Sequence, residues 1–446
     1  MKNFPKLEKY GVVYREPLSH LSSRPSPAWV RHGIIYEVYV RDFCAQGNFS
    51  GFLEHLPELK ELGVTIIWFM PIFPIGKKGR KGTLGCPYSI SDYYSTNPEY
   101  GTKEDFKRVV DGIHEAGMRV IIDMVANHAA NDHVAMGVHP DWFSQDENGE
   151  FTRRIGDWSD ATDLNYSNPG LWKHMKEALL YWVREFHIDG YRCDVAGMVP
   201  ENFWQEARKA LNEQNPDLLM LAEWEDPRMH VFSFDSTYDW ILYYTYLDVF
   251  KSNAPAEHVI DLLLQRKAEF PKDSLRLRFI ENHDEKRAMH IFGAECYKPF
   301  AAFIFTIDGI PLIYNGQEVG EPNFSSLFEK EPIDWNRPGG DDVFNFYKFL
   351  IGLRAKHPVL VDGDIAKIKN DQPGAVVSFL RSNEQDQQVL VAINFSTRKV
   401  TTTLETDIAS AKTIIQVNQR REVTPQLKGQ TLQLDANDSL ILVLKA

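Results

Sequence analysis

Apolar residues in this chain gather into short, nearly continuous runs, and between the runs they recur at helical spacing. The runs are GIIYEVYVRDF (33–43), TIIWFMPI (65–72), RVIIDMVANH (119–128), GYRCDVA (190–196), LLMLAEW (218–224), RLRFIENHD (276–284) and PLIYNGQE (311–318). β-Branched and aromatic residues dominate them, which predicts strands. In the stretch NFSGFLEHLPELKELG, Phe52, Leu56, Leu59 and Leu62 fall at helical spacing. The stretch TKEDFKRVVDGIHEAG opens on a Thr102–Asp105 capping box and closes at Gly117, which predicts another helix.

Apolar strands alternating with helices imply a parallel sheet covered on both faces. A weaker eighth strand falls near STYDWILYY (236–244). Eight strand–helix units make a (β/α)8 TIM barrel. An open doubly wound sheet is the alternative, but no GxGxxG turn follows the first strand. Two departures from regularity stand out. Residues 129–167, rich in Trp, Asp and His, form an insertion after the third strand, and loops that long are usually functional. Beyond residue 362 short strand patterns replace the helical ones (AVVSFLRS, QVLVAINFS, KVTTTLE, AKTIIQV, SLILVLKA), which predicts an antiparallel β-sandwich. The expected organisation is barrel over 1–128 and 168–361, an inserted domain over 129–167, and a sandwich over 362–446.

A formal net charge of −13 argues against a nucleic-acid-binding surface, which needs a basic face. The first residues lack an apolar core of signal-peptide length, and the longest apolar run carries Asp308. Four cysteines (Cys44, Cys86, Cys193, Cys296) form no CxxC pair or zinc-ligand spacing. These features point to a reduced, cytoplasmic protein without membrane or metal.

In a TIM barrel the chemistry sits at the C-terminal ends of the strands. There the chain places Asn127 and His128, Arg192 and Asp194, Glu223, and His283 and Asp284. Arg192 and Asp194 lie two apart on a strand and project to the same side. A structural ion pair explains that pair alone, but not polar residues at four strand ends together. Three carboxylates with no thiol or Ser–His relay suit glycosidic cleavage through an oxocarbenium-like transition state. One carboxylate must stay ionised, which a paired arginine favours. Another must stay protonated, which the apolar neighbours of Glu223 favour.

The motifs DMVANH (123–128), GYRCDVAGM (190–198), LAEWE (221–225) and FIENHD (279–284) resemble those of the α-amylase family of glycoside hydrolases. The resemblance implies Asp194 as nucleophile, Glu223 as general acid/base and Asp284 as the third carboxylate. It implies that Arg192 orients Asp194, that His128, His283 and Trp224 bind sugar, and that Tyr88 stacks beneath the ring. Asp123 also matches, deeper in its strand, where a purely structural role is the other reading. The implied substrate is an α-glucan or maltooligosaccharide cut at α-1,4 bonds, with no cofactor. A same-family glucanotransferase or a sucrose or trehalose isomerase, and a catalytically inactive binding module, are the alternatives. Where many relatives carry a Lys–His pair, this chain has Gly197 and Met198. Asn127 matches one calcium ligand of some relatives, too few for an oxygen cage, so no metal is expected. The chain lacks the N-terminal β-domain with which some relatives dimerise, so a monomer is expected. The basic stretch GKKGRKGTLG (76–85) lacks the P-loop pattern and reads as a loop at the cleft rim.

Overall fold

A computed structural model describes residues 17–425, 427 and 429–445. Eight parallel strands close into a barrel: β1 (Ile35–Val38), β2 (Ile66–Phe69), β3 (Arg119–Met124), β4 (Gly190–Cys193), β5 (Leu219–Ala222), β6 (Ser236–Tyr238), β7 (Leu275–Arg278) and β8 (Ile310–Tyr314). Neighbours in sequence are neighbours around the ring, and β8 returns to pair with β1 through Leu312 and Ile35. All four residues of β2 are fully buried, as a strand between a filled barrel interior and an outer helical layer must be. The expected TIM barrel is therefore present, and the weak run at 236–244 supplies β6.

The strands are shorter than the apolar runs suggest. The first run leaves the barrel at Tyr39 and continues as a buried helical turn, Val40–Phe43. It stays buried because the loop after β8 covers it: Glu331 N–H donates to the Asp42 carboxylate at 2.8 Å. The 48–63 stretch forms two helices, Phe49–Glu54 and Leu56–Leu62. Pro57, at the start of the second, cannot continue a helix from the first. The Thr102 capping box forms on the helix Lys103–Glu115.

The insertion leaves the barrel through a strand pair, His128–Ala130 against Ala161–Asp163. At the C-terminus an antiparallel sheet runs in the order Asp364–Lys367, Val376–Ser382, Gln388–Asn394, Ser439–Lys445, Thr413–Gln416, Arg421–Val423. A second sheet pairs Val400–Thr403 with Thr431–Leu434, as a small sandwich requires. Phe300 and Phe303, on the barrel helix Lys298–Thr306, pack onto Phe395 and Phe379 with ring centres 4.9 and 5.8 Å apart. Among the described residues no helix is long and apolar enough to cross a membrane.

Candidate active site

The end of β4 sets the site. Arg192 is wholly buried, and its Nη1 donates to Asp123 Oδ1 at 2.9 Å and to Asp194 Oδ1 at 3.0 Å. Its Nη2 lies 3.0 Å from Glu223 Oε2. One guanidinium thus serves three carboxylates. The rings of Trp68, Tyr88 and Tyr238 enclose it, with centres 5.2, 5.6 and 5.7 Å from its central carbon, close enough for cation–π stabilisation. The same-face geometry expected of residues 192 and 194 is realised. Asp123 is fully buried beneath them and also accepts from the Tyr88 hydroxyl at 3.1 Å, so it positions both Arg192 and Tyr88.

Glu223 follows β5 and is almost fully buried. Its Oε2 accepts the Val195 N–H at 2.7 Å. Burial pushes its carboxyl up to about 8, and the charges of Asp194 and Asp284 push the same way against the pull of Arg192. That balance follows from number: three carboxylates around one cation cannot all ionise in a dry site. Burial likewise raises Asp123. Val195 adopts φ 35° and ψ 48°, a left-handed conformation that is strained for a β-branched residue. This turn aims the Val195 N–H at Glu223 one residue after Asp194.

A second chain of contacts starts on β1. Glu37, fully buried, holds His283 Nδ1 at 2.5 Å. The other ring nitrogen, Nε2, lies 2.8 Å from the Tyr88 hydroxyl and 3.3 Å from Asp284 Oδ2. Burial alone would push the imidazolium down, but Asp284 and Glu37 together raise it to about 9. The Tyr88 and His283 rings stack at 5.4 Å with an interplanar angle of 18°. His128 behaves oppositely. Burial lowers it, and the Asn127 side-chain amide, 3.1 Å from Nδ1, supports a neutral ring with its proton on Nε2.

The one oxygen ligand matched to a calcium site does not stand free. Arg154, in the insertion, donates to Asn127 Oδ1 and, at 2.9 Å, to Asp163 Oδ2; its guanidinium also reaches the Met198 carbonyl at 3.3 Å. A built-in cation already joins these three oxygens, so they do not fit a metal ion. Among the described residues no group of three or more His, Cys, Asp or Glu side chains could hold one.

Asp194, Glu223, Asp284, Tyr88, His128 and His283 line one cavity of about 180 Å³ at the C-terminal rim. The model of the alpha amylase catalytic domain matches residues 31–146 and 138–338 of this chain. The chain belongs to the alpha-amylase family. A noncanonic maltogenic alpha-amylase from Thermotoga neapolitana is 36% identical with a TM-score of 0.85, over 94% of this chain and all of that one. An alpha-amylase from Lactobacillus plantarum is 34% identical with a TM-score of 0.83, over 93% and 99%. A maltogenic alpha-amylase from Bacillus acidopullulyticus is 30% identical, covering 89% of this chain and 70% of its own.

Within this alpha-amylase-family barrel, two of the expected site residues lie outside the cavity lining. Arg192 sits below its floor. Trp224 is 9% exposed and packs over Gly197, where a Cβ would come within 1.9 Å of the indole. The indole thus takes the space that any side chain at position 197 would need. Sequence reasoning missed Glu37, Trp68 and Tyr238 behind the site. It also missed Lys81, Trp158, Leu327 and Phe328 on the cavity wall. Glu37 carried a signal: a lone carboxylate inside the apolar run GIIYEVYV.

Proposed function

We propose that the protein is a retaining glycosidase that hydrolyses α-1,4-glucosidic bonds of maltooligosaccharides or starch fragments through a glycosyl-enzyme on Asp194. The observation that carries this reading is the grouping at the rim. Glu223, held above the usual carboxylate range, shares one cavity with Asp194, which lies 3.0 Å from the Arg192 guanidinium. Relatives whose names denote maltogenic amylases support the substrate class.

In the first step an Asp194 oxygen bonds to the anomeric carbon as the glycosidic C–O bond breaks. The Glu223 proton passes to the departing oxygen. In the second step Glu223, now a carboxylate, takes a proton from water as that water displaces Asp194 and restores the starting configuration. The buried excess of carboxylate over guanidinium favours the positive charge that develops on the sugar. Asp284 and a protonated His283 offer an acceptor and a donor to its hydroxyls, Nε2–H of His128 offers another donor, and Tyr88 offers a ring face.

Chromatography of products from maltotriose, starch, cyclodextrin, pullulan, isomaltose, sucrose and trehalose tests the proposal. Hydrolysis confined to α-1,4-linked substrates, with α-configured products, agrees with it. Isomerised disaccharides or longer oligosaccharides as the main products would replace it with a transferase or isomerase reading.

A further inference from the structure

The stretch GKKGRKGTLG (76–85) contains none of the catalytic groups, yet it borders their cavity and is tied down at both ends. Lys77 and Lys78 N–H donate to the Asp132 carboxylate at 2.8 and 3.1 Å. At the other end Thr83 N–H donates to Glu329 Oε1 at 2.8 Å, and Leu84 N–H donates to the Phe328 carbonyl at 3.0 Å. Behind this second anchor the buried Arg41 donates to the carbonyls of Gly85 and Leu327, at 2.9 and 3.0 Å. Gly82, at φ +60°, presses on the Phe328 side chain so closely that a Cβ would come within 2.5 Å of it.

From the middle of this strap Lys81 reaches the insertion. Its Nζ donates to the Asp157 carbonyl at 2.6 Å, lies 3.3 Å from Asp160 Oδ1, and stands 5.8 Å from the Phe328 ring centre. The loop after β2, the insertion and the loop after β8 are thereby joined into one wall. Lys81, Trp158 and Phe328 present that wall to the cavity. In the eight-strand ring β1 lies opposite β5, and the loops after β2 and β8 flank β1. The strap and Phe328 therefore stand across the barrel from Glu223, with the insertion, which follows β3, beside them. The cavity holds the wall residues and the carboxylates Asp194, Glu223 and Asp284 in one lining.

The departing oxygen must face the acid, so the leaving part of the chain lies on the Glu223 side. The opposite, non-reducing side of the ring faces the wall. We infer that the strap and Lys81 close the cavity beyond the non-reducing end, so that the enzyme removes units from chain ends and does not cut within chains. This inference rests on the glycosidase reading above.

The test uses two maltooligosaccharides of equal length, one with its non-reducing terminal 4- and 6-hydroxyls blocked as a cyclic acetal, followed by loss of substrate. The wild-type protein is expected to consume the blocked substrate about 100-fold more slowly than the free one. Lys81→Met, and separately Glu329→Ala to release the strap from Thr83, are expected to raise the blocked-to-free rate ratio about tenfold. Equal rates on both substrates with the wild-type protein would overturn the inference and leave the glycosidase reading intact. Consumption of neither would overturn the glycosidase reading itself. If the wild type discriminates but both variants keep its ratio, the wall is not the cause and the inference fails.

Discussion

Two clusters of buried charge lie against the barrel wall, and they are composed in opposite proportions. At the rim a single guanidinium, Arg192, faces Asp123, Asp194 and Glu223. Toward the junction with the C-terminal sheets, arginines predominate. Arg276 lies 2.9 Å from Glu225 and 3.3 Å from Asp239, and Arg278 bridges Asp239 and Asp308. Arg354 and Arg381 bind backbone carbonyls, of Ile307 and Gly309 for the first and of Thr306 and Gly363 for the second. The titration behaviour follows. Burial would raise Asp308, yet Arg278, Arg381 and Lys267 hold its carboxyl below the usual range, whereas Glu223 is driven up. Burial of charge by itself therefore marks no active site. Excess carboxylate, a cavity and a strained Val195 mark the rim. Excess guanidinium that caps carbonyls and fastens sheets to barrel marks the junction.

The comparison breaks most visibly if the proposed nucleophile is removed. Asp194→Ala is expected to lower kcat about 10⁴-fold or more on every substrate while the thermal midpoint stays near that of the parent. Retained activity would mean the rim is structural like the junction. The next contrast is between the two clusters. Arg192→Leu is expected to cost about 10³-fold in kcat/KM because Asp194 and Glu223 lose the group that orders them. Arg278→Leu takes from Asp239 and Asp308 the guanidinium they share, leaving Arg276 at 3.3 Å from the first and Lys267 at 3.8 Å from the second, and is expected to cost about 3 kcal/mol of stability. Its folded fraction keeps its kcat. Denaturation curves and kinetics on both variants decide, and the reverse pattern would exchange the two roles.

A subtler test reads the proton on Glu223. Its raised value means that the acid form persists through neutrality and is lost as pH rises through about 8, so kcat/KM falls on that alkaline limb. The charge of Asp284 is among the causes that raise Glu223, so Asp284→Asn should move the limb to lower pH as well as slow the reaction. A limb that stays in place would separate it from Glu223. The smallest effect concerns the Arg154 bridge. A chelator should leave activity and thermal midpoint unchanged, and Arg154→Ala should cost about 1 kcal/mol or less, since this guanidinium is half exposed. Loss on chelation, restored by calcium, would mean that a metal fastens the insertion.

Much of this was legible in the chain because it is local. Strand alternation puts Arg192 and Asp194 on one side, and the ends of apolar runs mark the rim. Glu37 stood out as a lone carboxylate in an apolar run, but its role was not legible, because its partner His283 lies 246 residues away. The left-handed turn at Val195 was hidden because nothing in a β-branched residue advertises positive φ. The place of 76–85 at the cleft rim was legible, but not the wall it forms, because its anchors, Asp132, Glu329 and Arg41, come from three other segments. Strand ends were overrun wherever burial outlasts the ladder, as at Val40–Phe43, which a covering loop keeps apolar.

The central claim is that Asp194, held by Arg192, bonds to the sugar while Glu223 supplies the proton. Incubation with a 2-deoxy-2-fluoro-glucosyl fluoride, which slows both steps but forms the intermediate readily, followed by proteolysis and mass spectrometry, tests it most directly. The expected result is one added fluoroglucosyl group per chain, on the peptide containing Asp194, released slowly with retained configuration. A label on Glu223 or Asp284, or turnover with inverted configuration and no label, would contradict it.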